Sequence, residues 1–459
     1  MVVDTCTFTD FCFLNITGTA TVKSSTFTQS YLFNGLATTT ITQSQFNLNS
    51  EVHNDKTLKI TTSDFTTSTL SGTGASSTTA GSTSFSAGSN INTDGTLTLT
   101  TTTHSSSTVN VVDTASAAYS TFTKSAWTSL SSTTLSQTTH TDSAVSITSG
   151  PATLTSVTVS GAKTTFTNLS PSQITSSTFD SIFSSNSVVS TTDLNNLGEL
   201  DVTKGGSFTS TGHSYSVTTA VLADGSTWSA TNTTISVTSL QVGSGVLGGT
   251  GTFSLGASSS LDVTQSLTLS TCKVENSGSI TFEDSSASSQ CLTIDAMAGL
   301  LNYGSLKFSS SCQVGSTGGG TLWNYGTLEL HGIQTILPDI NLSPSSILSF
   351  AAHNQTIYTN VTTGPVVNIG GTLLFKMDSS LVGGLYHLFT FPSAHPTSVG
   401  WKFSSVNVTY VDLKSGAEKS SSGVLDYTKT IELPLIVNSA VPLMAFLALP
   451  IVLVFTFFF

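Results

Sequence analysis

The stretch from Cys272 to Leu330 contains the phrase Asn276-Ser-Gly-Ser-Ile-Thr-Phe282 and two further copies of it. The copies read Asn302-Tyr-Gly-Ser-Leu-Lys-Phe308 and Asn324-Tyr-Gly-Thr-Leu-Glu-Leu330. In each, an asparagine and a glycine precede a segment in which apolar and polar side chains alternate, which is typical of a β-strand with one buried face. The phrase therefore indicates one coil of a stacked β-structure. Its glycine and asparagine are interpreted as corner residues that tolerate a positive φ.

A second series with a similar period runs through the upstream half of the chain. An inward residue is followed five positions later by an aromatic one, as in Val22 to Phe27 and Ile41 to Phe46. A unit this short cannot bury its own apolar face, so it must stack on its neighbours. The rhythm is less regular between 122 and 159 and between 179 and 208, where we expect a loop or an irregular coil. The series continues with Ile60 to Phe65, Ala80 to Phe85, Leu99 to His104, Ala117 to Phe122, Leu130 to Leu135, Leu154 to Val159, Ile174 to Phe179, Phe208, Ala223 to Trp228 and Val242 to Leu247.

Further copies of the opening phrase occur at Asn196-Leu-Gly-Glu-Leu-Asp-Val202 and, more loosely, at Asn92-Thr-Asp-Gly-Thr-Leu-Thr-Leu99. With them, the repeat over residues 5 to 375 resembles the right-handed parallel β-helix superfamily. That superfamily includes pectin-degrading enzymes and surface adhesins such as the passengers of bacterial autotransporters. The resemblance is at the level of the fold, so it implies an architecture rather than a particular chemistry.

The predicted fold class is all-β: a right-handed parallel β-helix, or β-solenoid, with coils of roughly 19–22 residues and a C-terminal hydrophobic membrane segment. Roughly fifteen coils at about 4.8 Å each correspond to a rod on the order of 70 Å long. We assign residues 1–330 to solenoid coils, 331–432 to closing coils and a cap, and 433–459 to the hydrophobic segment. Because Thr5-Cys6-Thr7-Phe8 already reads as the middle of a strand and no secretory signal precedes it, we expect the true amino terminus to lie further upstream.

The C-terminal tail predicts attachment to a membrane. Val441 to Phe459 is nineteen residues without a charge, and the apolar character begins at Leu433. Such a tail, with no lysines after it, is typical of a signal for a glycosylphosphatidylinositol anchor. Ser421 and Ser422 are candidate attachment residues with a suitable spacer after them, and Asn438 is the competing one. The alternative is an uncleaved transmembrane span.

The composition of the 459 residues excludes several functions. The net charge is -12, and all thirteen basic residues are lysine, so binding to nucleic acid is disfavoured. Without arginine, the bidentate clamps that acidic substrates usually require are missing. Ser and Thr replace charged residues, which make up only 8% of the chain, and we assign these hydroxyls to the solvent-facing role. Because 37% of the residues are apolar and prolines are few, a disordered or mucin-like chain is also disfavoured.

Five cysteines are candidates for disulfide bonds: Cys6, Cys12, Cys272, Cys291 and Cys312. The last three are separated by 19 and 21 residues, about one repeat. Neighbouring strands of a stack lie at a distance that a disulfide tolerates, so one interpretation is a bridge between coils. The other is a small ladder of buried thiols. No cysteine spacing indicates a zinc site.

Seven asparagines head Asn-x-Ser/Thr sequons, in agreement with a lumenal route. Asn354, Asn360 and Asn407 lie outside the regular coils and are the better candidates for glycosylation. The other sequons begin at Asn15, Asn168, Asn232 and Asn341.

Motifs of catalysis and cofactor binding are incomplete. Gly243-Ser-Gly-Val-Leu-Gly248 has the spacing of a dinucleotide fingerprint, but another strand follows it where a helix is needed, so we expect a glycine-rich coil corner. Asn92-Thr-Asp94 is similar to a polygalacturonase motif whose companion segments are missing here, and Asp113 is the one candidate acidic partner. Glu283-Asp284 is interpreted as a solvated corner. The histidines at 213, 331, 353, 387 and 395 are scattered, and no triad follows from their presence.

These patterns predict a non-enzymatic cell-surface β-helix protein, adhesin-like or structural, anchored to the outer face of the plasma membrane. The partners that fit such a rod are the membrane itself and glycans or cell-surface proteins, with no nucleic acid and no small-molecule cofactor. The alternative is an extracellular polysaccharide-active hydrolase or lyase of the same fold.

Overall fold

Strands one coil apart pair in parallel and in register, so that Ile41 lies between Val22 of the preceding coil and Ile60 of the following coil. In the computed structural model the chain forms an all-β parallel solenoid of about 17 turns, with coils of about 19 residues. The predicted parallel β-solenoid is therefore confirmed, with slightly more coils than expected. The hand of the coil stays a prediction.

The structure describes most of the chain up to residue 435, and all regular secondary structure in these ranges is β-strand. No helix among these residues has the length and apolarity needed to cross a membrane. The hydrophobic segment Val441 to Phe459 lies outside the described residues. The described ranges are 1–161, 165–168, 171–185, 188–192, 194, 196–283, 290–309, 312–317, 319–331, 333–336, 339–352, 360–362, 367–368, 370–378, 384–390, 404–411, 418–423 and 431–435.

Each coil contributes one strand to each of three sheets, which we name faces A, B and C in chain order. Face A contains Val2–Asp4, Ala20–Lys23, Thr38–Thr42, Thr57–Thr61, Ser77–Gly81, Thr96–Thr100, Ala115–Ala118, Thr133–Ser136, Ala152–Thr155, Ser172–Thr175, Val188–Thr192, Ser207–Thr211, Ser226–Thr231, Gln290–Asp295, Cys312–Thr317, Ile333–Ile336, Asn360–Thr362 and Gly384–Thr390. Face B contains Thr7–Phe8, Thr26–Thr28, Gln45–Asn47, Asp64–Thr66, Ser84–Ser86, Thr103–Ser105, Thr121–Thr123, Thr139–Thr141, Thr158–Ser160, Lys273–Asn276, Gly299–Asn302, Thr321–Asn324, Asp339–Leu342 and Val367–Asn368.

Face C completes the coil. Its strands are Phe13–Ile16, Tyr31–Asn34, Glu51–Asn54, Thr69–Gly72, Asn90–Thr93, Thr108–Val111, Ala126–Ser129, Ala144–Ile147, Thr165–Asn168, Ser279–Phe282, Ser305–Phe308, Thr327–His331, Ile347–Ala352, Thr372–Asp378 and Ser405–Val411. Five strands continue around corners: Thr178–Ser185, Asn196–Val202 and Tyr215–Leu222 through faces B and C, and Thr234–Gly248 and Thr252–Ser270 through all three. The last two described strands, Glu418–Gly423 and Ile431–Leu435, pair antiparallel with Ser405–Val411 and Gly384–Thr390.

An aromatic ladder fills face B of the first coils. Phe27 stacks on Phe46 with 4.7 Å between ring centroids, and Phe46 stacks on Phe65 at 4.6 Å. These spacings are close to the separation of neighbouring strands, so the register alone brings the rings into stacking contact. The ladder runs through Phe8, Phe27, Phe46, Phe65, Phe85, His104, Phe122 and His140.

After Phe122, the series of inward residues taken from the sequence spacing no longer coincides with this aromatic ladder. Leu135, which the spacing placed next in the ladder, lies instead on face A between Ala117 and Leu154, and His140 takes the position on face B. Further on, the aromatic series itself crosses to face A, which holds Phe208, Trp228 and Leu247. Inward residues on adjacent faces recur with the same period, so spacing alone does not tell the faces apart.

Serine side chains lie inside the corners as well as on the surface. At the corner from face A to face B, Ser24 and Gln43 are left-handed, with φ of 50° and 52°, and each precedes a buried serine. The N–H of Ser25 donates to Ser44 Oγ at 3.3 Å, and Ser44 Oγ donates to the carbonyl of Thr42 at 3.0 Å. The assignment of the hydroxyls to solvent was therefore wrong for these rows, because they satisfy backbone groups that a corner leaves unpaired.

The glycines of the opening phrase have a different role from the one expected. Gly278, Gly304 and Gly326 are not in the left-handed region. A Cβ added to Gly304 would lie within 3.0 Å of the backbone of Ser277 and Gly278, and one added to Gly326 would meet the backbone of Gly304 in the same way. Glycine is required here because the backbones of adjacent coils approach closely.

Candidate functional site

The cysteines and sequons are distributed over the rod rather than gathered at one place. A disulfide joins Cys291 and Cys312 across adjacent coils, with 5.7 Å between Cα atoms. Cys272 is a buried thiol, and Cys6 and Cys12 are free near the first coil. The bridge therefore links neighbouring strands of face A.

Two sequon asparagines within the described residues are exposed, Asn15 on face C and Asn232 at a corner. Asn168 and Asn341 lie in coil strands, whereas Asn360 and Asn407 lie in strands of the last described coils. Asn354 lies outside the described residues. Of the candidate lipid-attachment residues, Ser421 and Ser422 lie in the antiparallel strand opposite Val408 and Asn407, and Asn438 falls outside the described part.

The dinucleotide-like and polygalacturonase-like motifs are both built into the coils. Gly243 to Gly248 lie in the long strand Thr234–Gly248 where it turns from face C, with Val242 paired to Leu222, to face A, with Gly245 paired to Ser226, so the expected coil corner is confirmed. Asp94 is exposed, and its backbone N–H continues the ladder to Gly72 at 2.9 Å. Asp113 accepts a hydrogen bond from Thr96 at 3.5 Å. Both aspartates therefore have hydrogen bonds that belong to the coil structure. Glu283 is exposed, and Asp284 lies outside the described residues.

The outer side of face C brings together four polar side chains from two consecutive coils, which we name the His53 cluster: Glu51, His53, Asp55 and Ser71. His53 Nδ1 lies 2.9 Å from Ser71 Oγ, and His53 Nε2 lies 3.0 Å from Asp55 Oδ1. Ser71 Oγ donates to Glu51 Oε1 at 3.0 Å. Strand register explains the grouping, because Ser71 is paired directly with His53.

Aromatic rings border the His53 cluster on the side of the preceding coil. Phe33 stacks on the imidazole of His53, with ring centroids 5.3 Å apart and planes within 11°. The next outward position of the same strand is Tyr31, which stacks on Phe13 at 5.2 Å. Burial raises the pKa of the Tyr31 phenol, and the negative charges of Glu51 and Asp55 raise it further. The cluster is therefore an acidic, half-buried patch beside an aromatic one.

Ser71 links the two sides of the His53 cluster. Its single hydroxyl proton is donated to Glu51 Oε1, and its oxygen also lies against His53 Nδ1. The other ring nitrogen of His53 faces Asp55, so the imidazole lies between a hydroxyl and a carboxylate.

This arrangement contains the residue types of a Ser-His-Asp triad but not the roles. A nucleophilic serine must give its proton to the histidine, whereas Ser71 gives it to Glu51. The strand Thr69–Gly72 is paired on both sides, so its backbone N–H groups serve the ladder and not an oxyanion hole. The geometry suits a fixed polar surface better than acyl transfer.

The spacing of scattered histidines did not reveal this cluster. The signal in the sequence is the coil period, since His53 and Ser71 are 18 residues apart. Of the histidines considered from the sequence, His331 lies 2.7 Å from Glu329 Oε1 on face C, and His353 and His395 fall outside the described residues. Within that described part, no three His, Cys, Asp or Glu side chains are grouped so as to hold a metal ion.

Comparison with known proteins adds no family to this picture. No family model matches the chain, and no curated protein matches it.

Proposed function

We propose that this chain is a non-enzymatic cell-surface protein, in which a rigid, right-handed β-helix is held outside the membrane by segment 433–459 and acts as an adhesin or a structural component. The observation that carries the proposal is the continuous register of the coils. Parallel pairing connects Val2–Asp4 with Ser405–Val411 through one sheet system, which gives long outer faces suited to contact with another surface. The right hand follows from the strong preference of parallel β crossovers.

Membrane display rests on the tail. The nineteen residues from Val441 to Phe459 carry no charge and are long enough to span a bilayer or to serve as an anchor signal. Exposed sequons at Asn15 and Asn232 support passage through a compartment where glycans are added. A bridge between Cys291 and Cys312 is also in keeping with an oxidising environment.

The proposal is tested by expressing the full chain behind a cleavable secretory signal peptide in eukaryotic cells and labelling intact cells with an antibody. We expect surface labelling that is lost when residues 433–459 are deleted, with the shortened chain recovered from the medium. Treatment with a phosphoinositide-specific phospholipase separates a lipid anchor, which it releases, from an uncleaved span, which it does not. A full chain that stays inside the cell would contradict the proposal.

The second candidate function is a polysaccharide-active enzyme, and the His53 cluster is the observation that favours it. The purified full chain and its Ser71→Ala and His53→Gln variants should release no reducing ends from neutral or acidic glycans. Release by the unaltered chain that both substitutions abolish would establish the enzyme in place of the non-enzymatic role.

A further inference from the structure

Three aromatic rings stand on the outer surface where the opening phrase is repeated, and we name Tyr303, Trp323 and Tyr325 the Tyr303 platform. Tyr303 stacks on Tyr325 with 4.9 Å between ring centroids and 12° between planes. The indole of Trp323 is parallel to Tyr325 within 9°, at 6.3 Å. Tyr303 is 49% exposed and Trp323 is 39% exposed. Large aromatic groups in such exposure, in an otherwise hydroxyl-rich surface, indicate a binding surface.

The stack of two tyrosines is short, and a serine occupies the equivalent corner position on each side of it. The corner residue one coil before Tyr303 is Ser277, and the one after Tyr325 is Ser343; the ladder hydrogen bonds to Asn276, Asn302 and Asn324 fix these positions. Serine is too small to cover an aromatic ring, and Ser277 is itself exposed. The ring face of Tyr303 that is turned away from Tyr325 is therefore a shelf directed along the rod toward the preceding coil, which contains Ser277.

Charged and hydroxyl groups border this shelf. Lys273 and Glu275 lie on the outer side of face B in the coil of Ser277 and form an ion pair at 2.5 Å. The hydrogen bond to Glu275 raises the pKa of Lys273, and the nearby phenols of Tyr303 and Tyr325 add to the effect. The shelf thus combines an aromatic face with an ammonium donor, a carboxylate acceptor and hydroxyls.

We propose that the Tyr303 platform binds a neutral glycan by stacking a pyranose ring on Tyr303, with Glu275, Lys273 and Ser277 bonding to the sugar hydroxyls. The C–H face of a pyranose is weakly positive, and it complements the negative face of an aromatic ring. A sugar also offers donors and acceptors around its edge, which the ion pair and the serine match. An anionic glycan fits less well, because Lys273 is already paired and the chain carries a net charge of -12.

This inference rests on the proposed non-enzymatic binding role and names its ligand class. The probes are cellohexaose, laminarihexaose and β-1,4-galactohexaose, titrated calorimetrically into the purified full chain. We expect saturable binding of at least one of them and a loss of roughly tenfold or more in affinity for Tyr303→Ala and for Trp323→Ala. Tyr303→Phe keeps the ring, so it should bind within about threefold of the unaltered chain.

Tyr119 provides the matched control, since it is 62% exposed and lies at a corner far along the chain from the platform. Tyr119→Ala should leave binding unchanged. The unfolding midpoint of each variant is compared with that of the unaltered chain, so that misfolding is separated from loss of contacts with the ligand. Binding of none of the three probes, or binding that Tyr303→Ala leaves intact, would overturn the inference.

Surface labelling of cells that express the unaltered chain distinguishes this failure from failure of the proposed function. Normal display without glycan binding by the unaltered chain would contradict only the glycan site. Loss of display of the unaltered chain would contradict the proposed function.

Discussion

The side-chain amide of Asn276 donates to Oδ1 of Asn302 at 2.7 Å, across two coils of a rod in which both residues are fully buried. Asn302 in turn donates to Oδ1 of Asn324 at 2.6 Å and to the carbonyl of Thr327 at 2.9 Å. An amide has both donors and an acceptor, so identical residues in register can satisfy one another indefinitely along a stack. The asparagine of the opening phrase is thus a structural member of the interior.

Replacing the central member of this amide ladder should destabilise the rod. Asn302→Ala leaves Asn324 Oδ1 and the Thr327 carbonyl without the Asn302 donor, and we expect a loss of about 2–6 kcal/mol in the free energy of unfolding, at ~1–3 kcal/mol for each group. The measurement is denaturant unfolding followed by circular dichroism.

The control for the amide ladder is the exposed pair in which Asn110 donates to Asn92 at 2.8 Å. Asn92→Ala should cost less than about 0.5 kcal/mol, since water replaces the lost partner. Equal losses for the two variants would show that burial of the ladder is not what makes it stabilising.

The glycine of the same phrase is expected to resist any side chain. Gly304→Ala places a methyl group against the backbone of Ser277 and Gly278, and we expect a destabilisation of roughly 1–3 kcal/mol from overpacking. Gly74 has nothing within 4 Å of its Cβ position and is not left-handed, so Gly74→Ala should be neutral or stabilising by up to about 1 kcal/mol. Thermal unfolding of both variants compares their stability changes. A Gly304→Ala variant as stable as the unaltered chain would contradict the prediction.

Two histidines within the aromatic ladder should make the rod sensitive to acid. Burial lowers the pKa of His104 and of His140 from 6.5 to about 3. The folded state then binds fewer protons than the unfolded state as the pH falls. The stability that the two neutral histidines give the folded state is complete above about pH 6.5. It is lost as the pH falls toward 3, at up to roughly 1.4 kcal/mol per pH unit for each histidine. Unfolding measured at half-unit pH steps should show this slope.

Phenylalanine at either position should reduce the acid slope by about one proton, but the two variants should differ at pH 7. Both ring nitrogens of His140 are buried without a hydrogen-bond partner, so His140→Phe should stabilise the rod by about 1–3 kcal/mol. His104 contacts Thr102 Oγ1 at 3.1 Å and Ser107 Oγ at 3.3 Å, so His104→Phe should bring no such gain. An unchanged acid slope in both variants would show that these histidines are not the source.

The bridge between coils should stabilise face A. The two cysteines are separated by 21 residues in the sequence. Closing a loop of that length stabilises the folded state by about 3 kcal/mol through the lost entropy of the unfolded chain. The double variant Cys291→Ser, Cys312→Ser should therefore unfold at lower denaturant, and reductant should shift the unaltered chain but not the double variant. Cys12→Ser, at an exposed free thiol, serves as the control. Peptide mapping under non-reducing conditions should link Cys291 to Cys312 and find Cys6, Cys12 and Cys272 alkylated.

Much of the architecture was predictable because the solenoid repeats its chemistry locally. Val22 and Phe27, taken from spacing as inward residues of adjacent strands, are both fully buried. The function of individual polar residues was less accessible. Ser25 and Ser44 read as surface hydroxyls, and Asn276 as a turn residue, since a sequence does not show whether a polar group meets water or the next coil.

The coil period and the strand alternation follow from the sequence by itself, because each short unit must present an apolar row to a core that its neighbours complete. Which residues meet across coils was decided only by the tertiary structure. Partners one coil apart are separated by 18 residues for His53 and Ser71 but by 26 for Asn276 and Asn302. Corners absorb insertions of different length while the strands keep register, so no single offset in the sequence identifies the neighbour of a given side chain.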